Sequence, residues 1–201
     1  MPMIQQARSQ SDLEDAYRFW YQVYVQEMSR HGDDPLADHH DRKLRDPIAT
    51  SGCLLLARNA AGAVIGTVLN TPTTEPIGKY EAFYGLDQLS AIQRRRSTIT
   101  TKLMVAGRFR GTKLPMQLAR AAYARTLEAG MLYDFIDCNN HLVGFFEKLG
   151  YRTHRGRIHH PDYGHVNSMY IALQDAVHLY NVASPIYPML LDHQENQRVY
   201  A

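Results

Sequence analysis

Apolar residues along the chain follow two rhythms, one near every third or fourth position and one continuous or alternating, separated by polar breaks. In residues 11–28, Leu13, Ala16, Tyr17, Trp20, Tyr24 and Met28 recur at helical spacing, which predicts a first helix. Ser11 with Glu14 three residues on has the spacing of a capping box at its start. Residues 29–47 are polar, with Gly32, Asp33, Asp34 and Pro35 as a breaker. Strand-like runs at 53–58 and 63–69, joined through Asn59, Ala60, Ala61 and Gly62, predict a hairpin. Pro72, Pro76 and Gly78 interrupt the next stretch, and 87–95 reads as a short helix. A strand over 97–106 then leads into a helix over 114–129. That helix has Leu114, Leu118, Ala121 and Ala122 as its inner stripe, Pro115 in its first turn and Gly130 as its stop. A short buried strand over 132–138 and a helix over 141–149, closed by Gly150, come next. Two strands over 151–155 and 166–173 flank a turn containing Pro161, Asp162, Tyr163 and Gly164. A closing helix over 174–180 and an irregular tail over 185–201 complete the expectation. This order predicts an α/β layer structure with a mixed sheet and helices on its faces.

Composition narrows the class. The chain has 201 residues, 45% apolar and 21% charged, which suits one domain with a sizeable core. No apolar run reaches the ~18 residues of a membrane span, so no membrane partner is expected. The first fifteen residues lack the apolar core of a secretory signal. Cys53 and Cys138 both lie in strand-like runs and read as reduced, buried residues. Cytoplasmic location is the expectation that follows. A formal charge of +2 does not by itself argue for nucleic acid. Arg94, Arg95, Arg96, Lys102, Arg108, Arg110 and Lys113, however, fall close together. They form either a solvated face or a docking surface for an acidic partner.

The turn between the 97–106 strand and the following helix carries the chemistry. Its sequence, VAGRFRGTKLPMQL over 105–118, presents free backbone N–H groups and the positive end of a helix dipole at one spot. Phosphate or pyrophosphate binds readily at such a terminus, and the flanking basic side chains add to the preference.

This turn, the helix behind it and residues 140–151 (NHLVGFFEKLGY) together resemble the GNAT superfamily of N-acyltransferases. The family pattern there is an Arg or Gln, two residues, a Gly, one residue, then Gly or Ala, opening a helix after a strand. Arg108 and Gly111 match, while Lys113 replaces the second small residue. The later block resembles the family's aromatic-Glu-Lys-Leu-Gly-aromatic helix end, here Phe146 through Tyr151, and the likeness spans roughly 53–173. A narrower resemblance, to the long-chain N-acyl amino acid synthase branch related to acyl-homoserine-lactone synthases, rests on three segments besides Arg18. They are VYVQEM (23–28), DHHDRKLRDP (38–47) and DAVHLYNVASP (175–185). Members of that branch move acyl groups from acyl carrier protein or coenzyme A onto an amino acid amine.

The resemblance implies a single GNAT domain over 1–201, with a mostly antiparallel central sheet and a splayed strand pair that holds the donor arm. No permanently bound cofactor is implied. The cosubstrate is an acyl donor carrying phosphopantetheine, with acyl carrier protein preferred over coenzyme A. The arm is expected between the 97–106 and 132–138 strands. Val105, Arg108, Phe109, Arg110, Gly111, Thr112 and Lys113 would hold its phosphate, and Asn139 would contact the arm. Pro115 lacks an N–H and Lys113 adds a Cβ, departures that a donor with one phosphate tolerates better than a pyrophosphate. Phe146 stands where many family members have a proton-donating Tyr, so that role does not transfer. A thiol pKa near 8.5 still makes the thiolate a tolerable leaving group. Tyr151 reads as a packing aromatic, with the acid role as its alternative.

Candidate bases for the attacking amine are Asp38, His39, His40 and Asp41, with Glu27 as a further one. Arg42 or Arg45 could fork an acceptor carboxylate or cap local carbonyls. His159, His160 and His165 read as loop histidines or acceptor-pocket walls. Adjacent Asp and His side chains rarely converge on one ion, so no metal is expected. The rival readings are an aminoacyl-tRNA-dependent transferase, with the arginine run as its RNA footprint, and a non-catalytic module that binds an acyl ligand.

Overall fold

The computed structural model describes residues 2–29, 36–160 and 164–199. The predicted breaker at 32–35 and the turn residues Pro161, Asp162 and Tyr163 lie outside them. In chain order the elements begin with β1 (Met3–Gln6), α1 (Gln10–Tyr21), a π-helical segment (Gln22–Glu27), β2 (Ala37–Asp38) and β3 (Lys43–Leu44). Next come β4 (Cys53–Arg58), β5 (Val64–Pro72), α2 (Tyr80–Tyr84), α3 (Ala91–Arg95), β6 (Ser97–Val105) and α4 (Leu114–Glu128). The last are β7 (Tyr133–Cys138), α5 (Val143–Leu149), β8 (Arg152–His160), β9 (Gly164–Ala172), α6 (Ala176–Asn181) and α7 (Tyr187–Val199).

The sheet has seven strands in the order β1-β4-β5-β6-β7-β9-β8. The pairs β1–β4, β4–β5, β7–β9 and β8–β9 are antiparallel. β6 and β7 run parallel, and their ladder consists of Ser97–Tyr133, Thr98–Asp134 and Ile99–Phe135. This is the mixed, mostly antiparallel α/β sheet with one short-paired central couple that the sequence led us to expect.

By contacts the chain divides into two compact units, one of residues 1–71 and 100–122, the other of 72–99 and 123–201. In the first, Leu55 and Ala57 of β4, Ile65 and Val68 of β5, Val105 of β6 and Leu114, Leu118 and Ala122 of α4 form a buried cluster. Gly66 makes the close approach possible. A Cβ there would lie 2.8 Å from Leu118 Cδ1 and 3.0 Å from Val105 Cγ1. Trp20 of α1 is also fully buried, and its Nε1–H donates to Thr67 Oγ1 at 3.0 Å. In the second unit, Phe135, Ile136, Met169, Ile171 and Leu179 are buried. Gly150 ends α5 in the left-handed region (φ 109°), which frees the chain to turn into β8.

Three expectations give way here. The first helix starts at Gln10 with Ser9 as its cap, not at Ser11, because the Asp12 carboxylate takes the N–H groups of both Arg8 and Ser9. Its apolar stripe also breaks after Tyr21. The wider π turn, with Met28 N–H bonded to Val23 O, rotates Val23 inward and leaves Met28 36% exposed. The tail read as irregular forms a helix over Tyr187–Val199, in which Leu190 is fully buried. Its run of Asp192, His193, Gln194, Glu195, Asn196, Gln197 and Arg198 is polar on every side, so no amphipathic stripe marks it. The four-residue edge strand β1 was not predicted either. It pairs with β4 through its backbone and carries only two apolar side chains.

Candidate active site

Between β6 and α4 the chain makes a short 3-10 turn over Gly107–Phe109. The N–H groups of Phe109, Arg110 and Thr112 are bonded within the turn, to Ala106 O, Gly107 O and Phe109 O. Leu114 N–H reaches Thr112 Oγ1 at 3.2 Å, and that hydroxyl donates to Phe109 O at 2.7 Å. Among the described residues, no acceptor takes the N–H of Arg108, Gly111 or Lys113. A Cβ added to Gly111 meets no atom within 4 Å. The turn is thus an exposed arc of unbonded donors at the start of a fifteen-residue helix, the arrangement that receives an anion.

Several side chains expected at this turn are engaged elsewhere. Val105 is buried in the core, and Phe109 packs against the same cluster with the Arg108 guanidinium 4.9 Å over its ring. Arg110 donates from Nη2 to Glu27 Oε2 at 2.5 Å and from Nε to Val105 O at 3.2 Å. The Val105, Phe109 and Arg110 side chains are thus occupied, and the N–H groups of Phe109 and Arg110 are bonded within the turn, whereas the Arg108 and Lys113 side chains are exposed.

The same unit carries the Asp–His segment, which forms the tip of the β2–β3 hairpin. Asp38 Oδ1 accepts the N–H of Asp41 at 2.9 Å. The Asp41 carboxylate meets Lys43 Nζ at 3.1 Å, His40 Nδ1 at 3.1 Å and Arg45 Nη2 at 3.5 Å. Hydrogen bonds from Lys43 and then His40 hold the Asp41 carboxyl below the usual range. Glu14 takes Lys43 at 2.9 Å and Arg45 at 3.0 Å, and these partners hold its carboxyl at about 2. Arg45 is therefore committed to carboxylates of the chain itself. The His40 side chain is almost wholly exposed. His39 differs: its Nδ1 lies 2.9 Å from the hydroxyl of buried Tyr21, with the rings edge to face.

Sequence reasoning missed Tyr21, and also a second cluster. Lys102, inside β6, adopts a left-handed backbone (φ 55°), with its side chain 5% exposed. Its ammonium sits 2.8 Å from Asp46 Oδ2 and lies over the rings of Trp20 and Tyr24 at 5.3 and 5.1 Å. No local pattern announces it, since Trp20 and Tyr24 read as ordinary core spacing.

In the second unit, Asn139 is half-buried and its carbonyl accepts the N–H of Leu142. The Tyr151 hydroxyl donates to Asp134 Oδ2 at 2.6 Å, and Thr98 Oγ1 donates to the other oxygen at 2.6 Å. The Tyr151 ring packs at 5.5 Å on buried Phe146, as a packing aromatic should. His159 and His160 lie in β8 and His165 in β9, not in loops. His160 is buried against the edge of Phe83. Among the described residues, no three His, Cys, Asp or Glu side chains are grouped as metal ligands would be. Among the described residues, no helix is long and apolar enough to cross a membrane.

No protein-family model and no curated protein matches the chain. Solved structures do. BjaI, a CoA-dependent acyl-homoserine lactone synthase solved with SAM and isopentyl-CoA, is 16% identical. The match covers 92% of this chain and 91% of BjaI, with a TM-score of 0.68. TofI, in a ternary complex with an inhibitor and MTA, is 16% identical over 94% of this chain and 99% of its own, with a TM-score of 0.70. FeeM, an N-acyl amino acid synthase from uncultured soil microbes, is 10% identical over 94% and 98%, with a TM-score of 0.68. At these identities the likeness is one of architecture alone: the chain has the GNAT fold of these neighbours.

Proposed function

We propose that the chain is an N-acyltransferase that moves an acyl group from a pantetheine thioester to the amine of an amino acid or similar small metabolite. The observation that carries this reading is the arc of unbonded N–H groups at Arg108, Gly111 and Lys113, with open space over Gly111, in a GNAT fold. An acyl donor's phosphate fits that arc. Acyl carrier protein is the preferred donor and coenzyme A the alternative, since Pro115 removes one N–H from the helix start. The fold neighbours BjaI and FeeM, a CoA-dependent synthase and an N-acyl amino acid synthase, support the reaction class. The whole chain acts as one domain in this reading. Its two cysteines, neither of them in a disulfide, suit a cytoplasmic setting.

The chemistry is direct transfer. The acceptor ammonium loses a proton, its lone pair attacks the thioester carbonyl, a C–N bond forms, the C–S bond breaks, and the thiolate leaves. Of the candidate bases, Asp41 is held ionised by Lys43 and Glu27 is taken by Arg110, while Asp38 caps the Asp41 N–H. His39, bonded to Tyr21, is the best-placed proton acceptor, and His40 is its exposed neighbour. General base catalysis of this kind contributes about 10²–10⁴-fold. Phe146 offers no proton, so solvent or the acceptor's own proton quenches the thiolate.

An intact-mass assay tests the reading, with an amine panel offered against acyl carrier protein, acyl-coenzyme A and aminoacyl-tRNA thioesters or esters. Acylated amine from a pantetheine donor is expected. RNase-sensitive product would favour the tRNA reading, and ligand binding with no product would favour the non-catalytic module, to which Phe146 gives its one supporting observation.

A further inference from the structure

Glu27 brings a negative charge to a turn whose unbonded N–H groups suit an anion. It is the last residue of the π-helical segment Gln22–Glu27, which continues α1. That segment is anchored in the core: Trp20 and Val23 are buried, and Trp20 Nε1–H donates to Thr67 Oγ1. The wider turn closes with Met28 N–H on Val23 O, and Glu27 stands at its end with its side chain 27% exposed. There Oε2 accepts from Arg110 Nη2 at 2.5 Å, while Arg110 Nε donates to Val105 O. The pair lies against Gly107, the first residue of the 3-10 turn. A Cβ at Gly107 would sit 3.7 Å from Glu27 Oε2 and 3.9 Å from Arg110 Nη1. A half-exposed ion pair adds little to stability, so folding gives only weak reason for a carboxylate at this place.

Its effect on a bound phosphate depends on the charge of the ligand. The carboxylate repels an anion at the nearby N–H groups of Arg108, Gly111 and Lys113, and it holds a guanidinium that the anion would otherwise draw on. A carrier-bound phosphopantetheine presents a single phosphodiester charge. Coenzyme A presents a pyrophosphate and a 3′-phosphate monoester, about three to four charges in all. Two unit charges about 7 Å apart in water change an equilibrium roughly threefold, and salt screens the more distant ones. The disadvantage therefore grows with each further charge that lies near the turn. We propose that Glu27 sets donor selectivity: by its own charge and by withholding Arg110, it disfavours polyphosphate donors such as coenzyme A relative to a donor with one phosphodiester. The inference rests on the acyltransferase reading above. It gives Glu27, one of the candidate bases, a part in choosing the donor rather than in moving a proton.

Donors that share one acyl group and differ in charge give the test: S-acyl-pantetheine, S-acyl-3′-dephospho-coenzyme A, acyl-coenzyme A and acyl carrier protein. The quantity read is the ratio of kcat/KM for acyl-coenzyme A to kcat/KM for S-acyl-pantetheine, which has no phosphate. A shared loss of folded enzyme or of proton transfer cancels in that ratio. Glu27→Gln should raise it on the order of five- to tenfold at about 50 mM salt, with the dephospho donor in between, and high salt should shrink the rise. The preference for acyl-coenzyme A over acyl carrier protein should rise with it. Arg110→Gln leaves the carboxylate without its guanidinium and should lower the ratio about threefold or more. Glu27→Asp keeps the charge and should stay near the unmodified ratio. A pair that only held the turn in shape would be broken by either neutral variant, and the two ratios would move together or not at all. Either result overturns the proposal. An equal loss of rate with every donor in Glu27→Gln also overturns it and returns Glu27 to the role of base. Should one neutral variant fail to fold, the direction of the other decides. An unmodified chain that transfers the acyl group from none of these donors overturns the acyltransferase reading itself, an outcome distinct from an unmoved ratio.

Discussion

Substituting Gly111 separates ligand binding from folding more cleanly than any other change at the turn. Its added Cβ meets nothing within 4 Å, and its φ lies outside the left-handed region. Gly111→Ala therefore introduces neither clash nor strain. By restricting the unfolded chain it should leave stability unchanged or raise it, by about 0.4–1 kcal/mol at most. On the proposed reading, the same Cβ would occupy the space through which a phosphate approaches the N–H groups of Arg108, Gly111 and Lys113. A hydrogen bond from such a donor to a charged oxygen contributes about 1.5–3 kcal/mol. Loss of one corresponds to roughly a 10- to 150-fold rise in donor KM. Gly111→Phe, which fills the space further, should reach or exceed the upper end. The assay is initial-rate kinetics over donor concentration, with urea denaturation of each variant in parallel. Stability level or rising while donor KM climbs is the expected signature. A donor KM unchanged in Gly111→Phe would refute the location of the phosphate site.

Leu118→Ala should cost about 2–5 kcal/mol in urea unfolding, because Leu118 is fully buried in the β4–β5–α4 cluster. Gly66→Ala alone should cost about 1–3 kcal/mol through overpacking. The double variant should cost less than the sum, since the atom nearest the new Cβ is Leu118 Cδ1 at 2.8 Å; strict additivity would contradict that packing. The Glu14 carboxyl, held at about 2 by Lys43 and then Arg45, is depressed relative to the unfolded chain. The stability it contributes is present above the ordinary carboxylate range near 4.3 and is lost as pH falls towards 2. Glu14→Gln should flatten the stability–pH curve in that acid window and leave its shape above pH 6 alone. Burial pushes the Cys138 thiol up to about 12, so iodoacetamide at pH 8 should leave it unlabelled until the chain is denatured; rapid native labelling there would argue against its buried setting.

The unbonded N–H groups of the turn were legible because they are local: Arg108, Gly111 and the helix start sit within a dozen residues, and free N–H groups follow from any strand-to-helix junction. The inner stripe Leu114, Leu118 and Ala122 was legible for the same reason, since period alone specifies it. Ser9 and Ser11 show the limit of local signals. Both have an acidic residue three positions on, and the choice fell to Asp12 because it can satisfy two free N–H groups at once. The π turn at Gln22–Glu27 has no compositional mark, and it moved Met28 off the expected face. Lys102 was illegible in principle. Its partners include Asp46, Trp20, Tyr24 and Thr67, which approach it through tertiary structure. Tyr21 was hidden in the same way, a core aromatic by spacing that becomes a hydrogen-bond partner only when the hairpin brings His39 to it.

The basic run over 94–113 is where sequence and structure diverge most in their consequences for a partner. Arg94 is spent on the Glu81 carboxylate and Arg96 on the carbonyl of Gly130 at 2.8 and 2.9 Å. Lys102 is spent on Asp46, and Arg110 on Glu27. Of the cluster, Arg95, Arg96, Arg108 and Lys113 are left without a carboxylate partner among the described residues. Four such cations displacing counterions from a nucleic acid would give a slope of only about −3 to −4 in a plot of log affinity against log salt. A phosphate gripped by backbone N–H groups adds little to that slope, because its donors carry no counterions. Activity with a pantetheine donor should therefore fall with salt no more steeply than this. A slope near twice as steep, measured as kcat/KM between 50 and 200 mM salt, would mean that cations outside the cluster are recruited. It would favour a large polyanionic donor such as tRNA over a small thioester. The pairing of three of the seven cations with carboxylates of the chain thus argues for the smaller ligand, in agreement with the unbonded N–H groups of the turn.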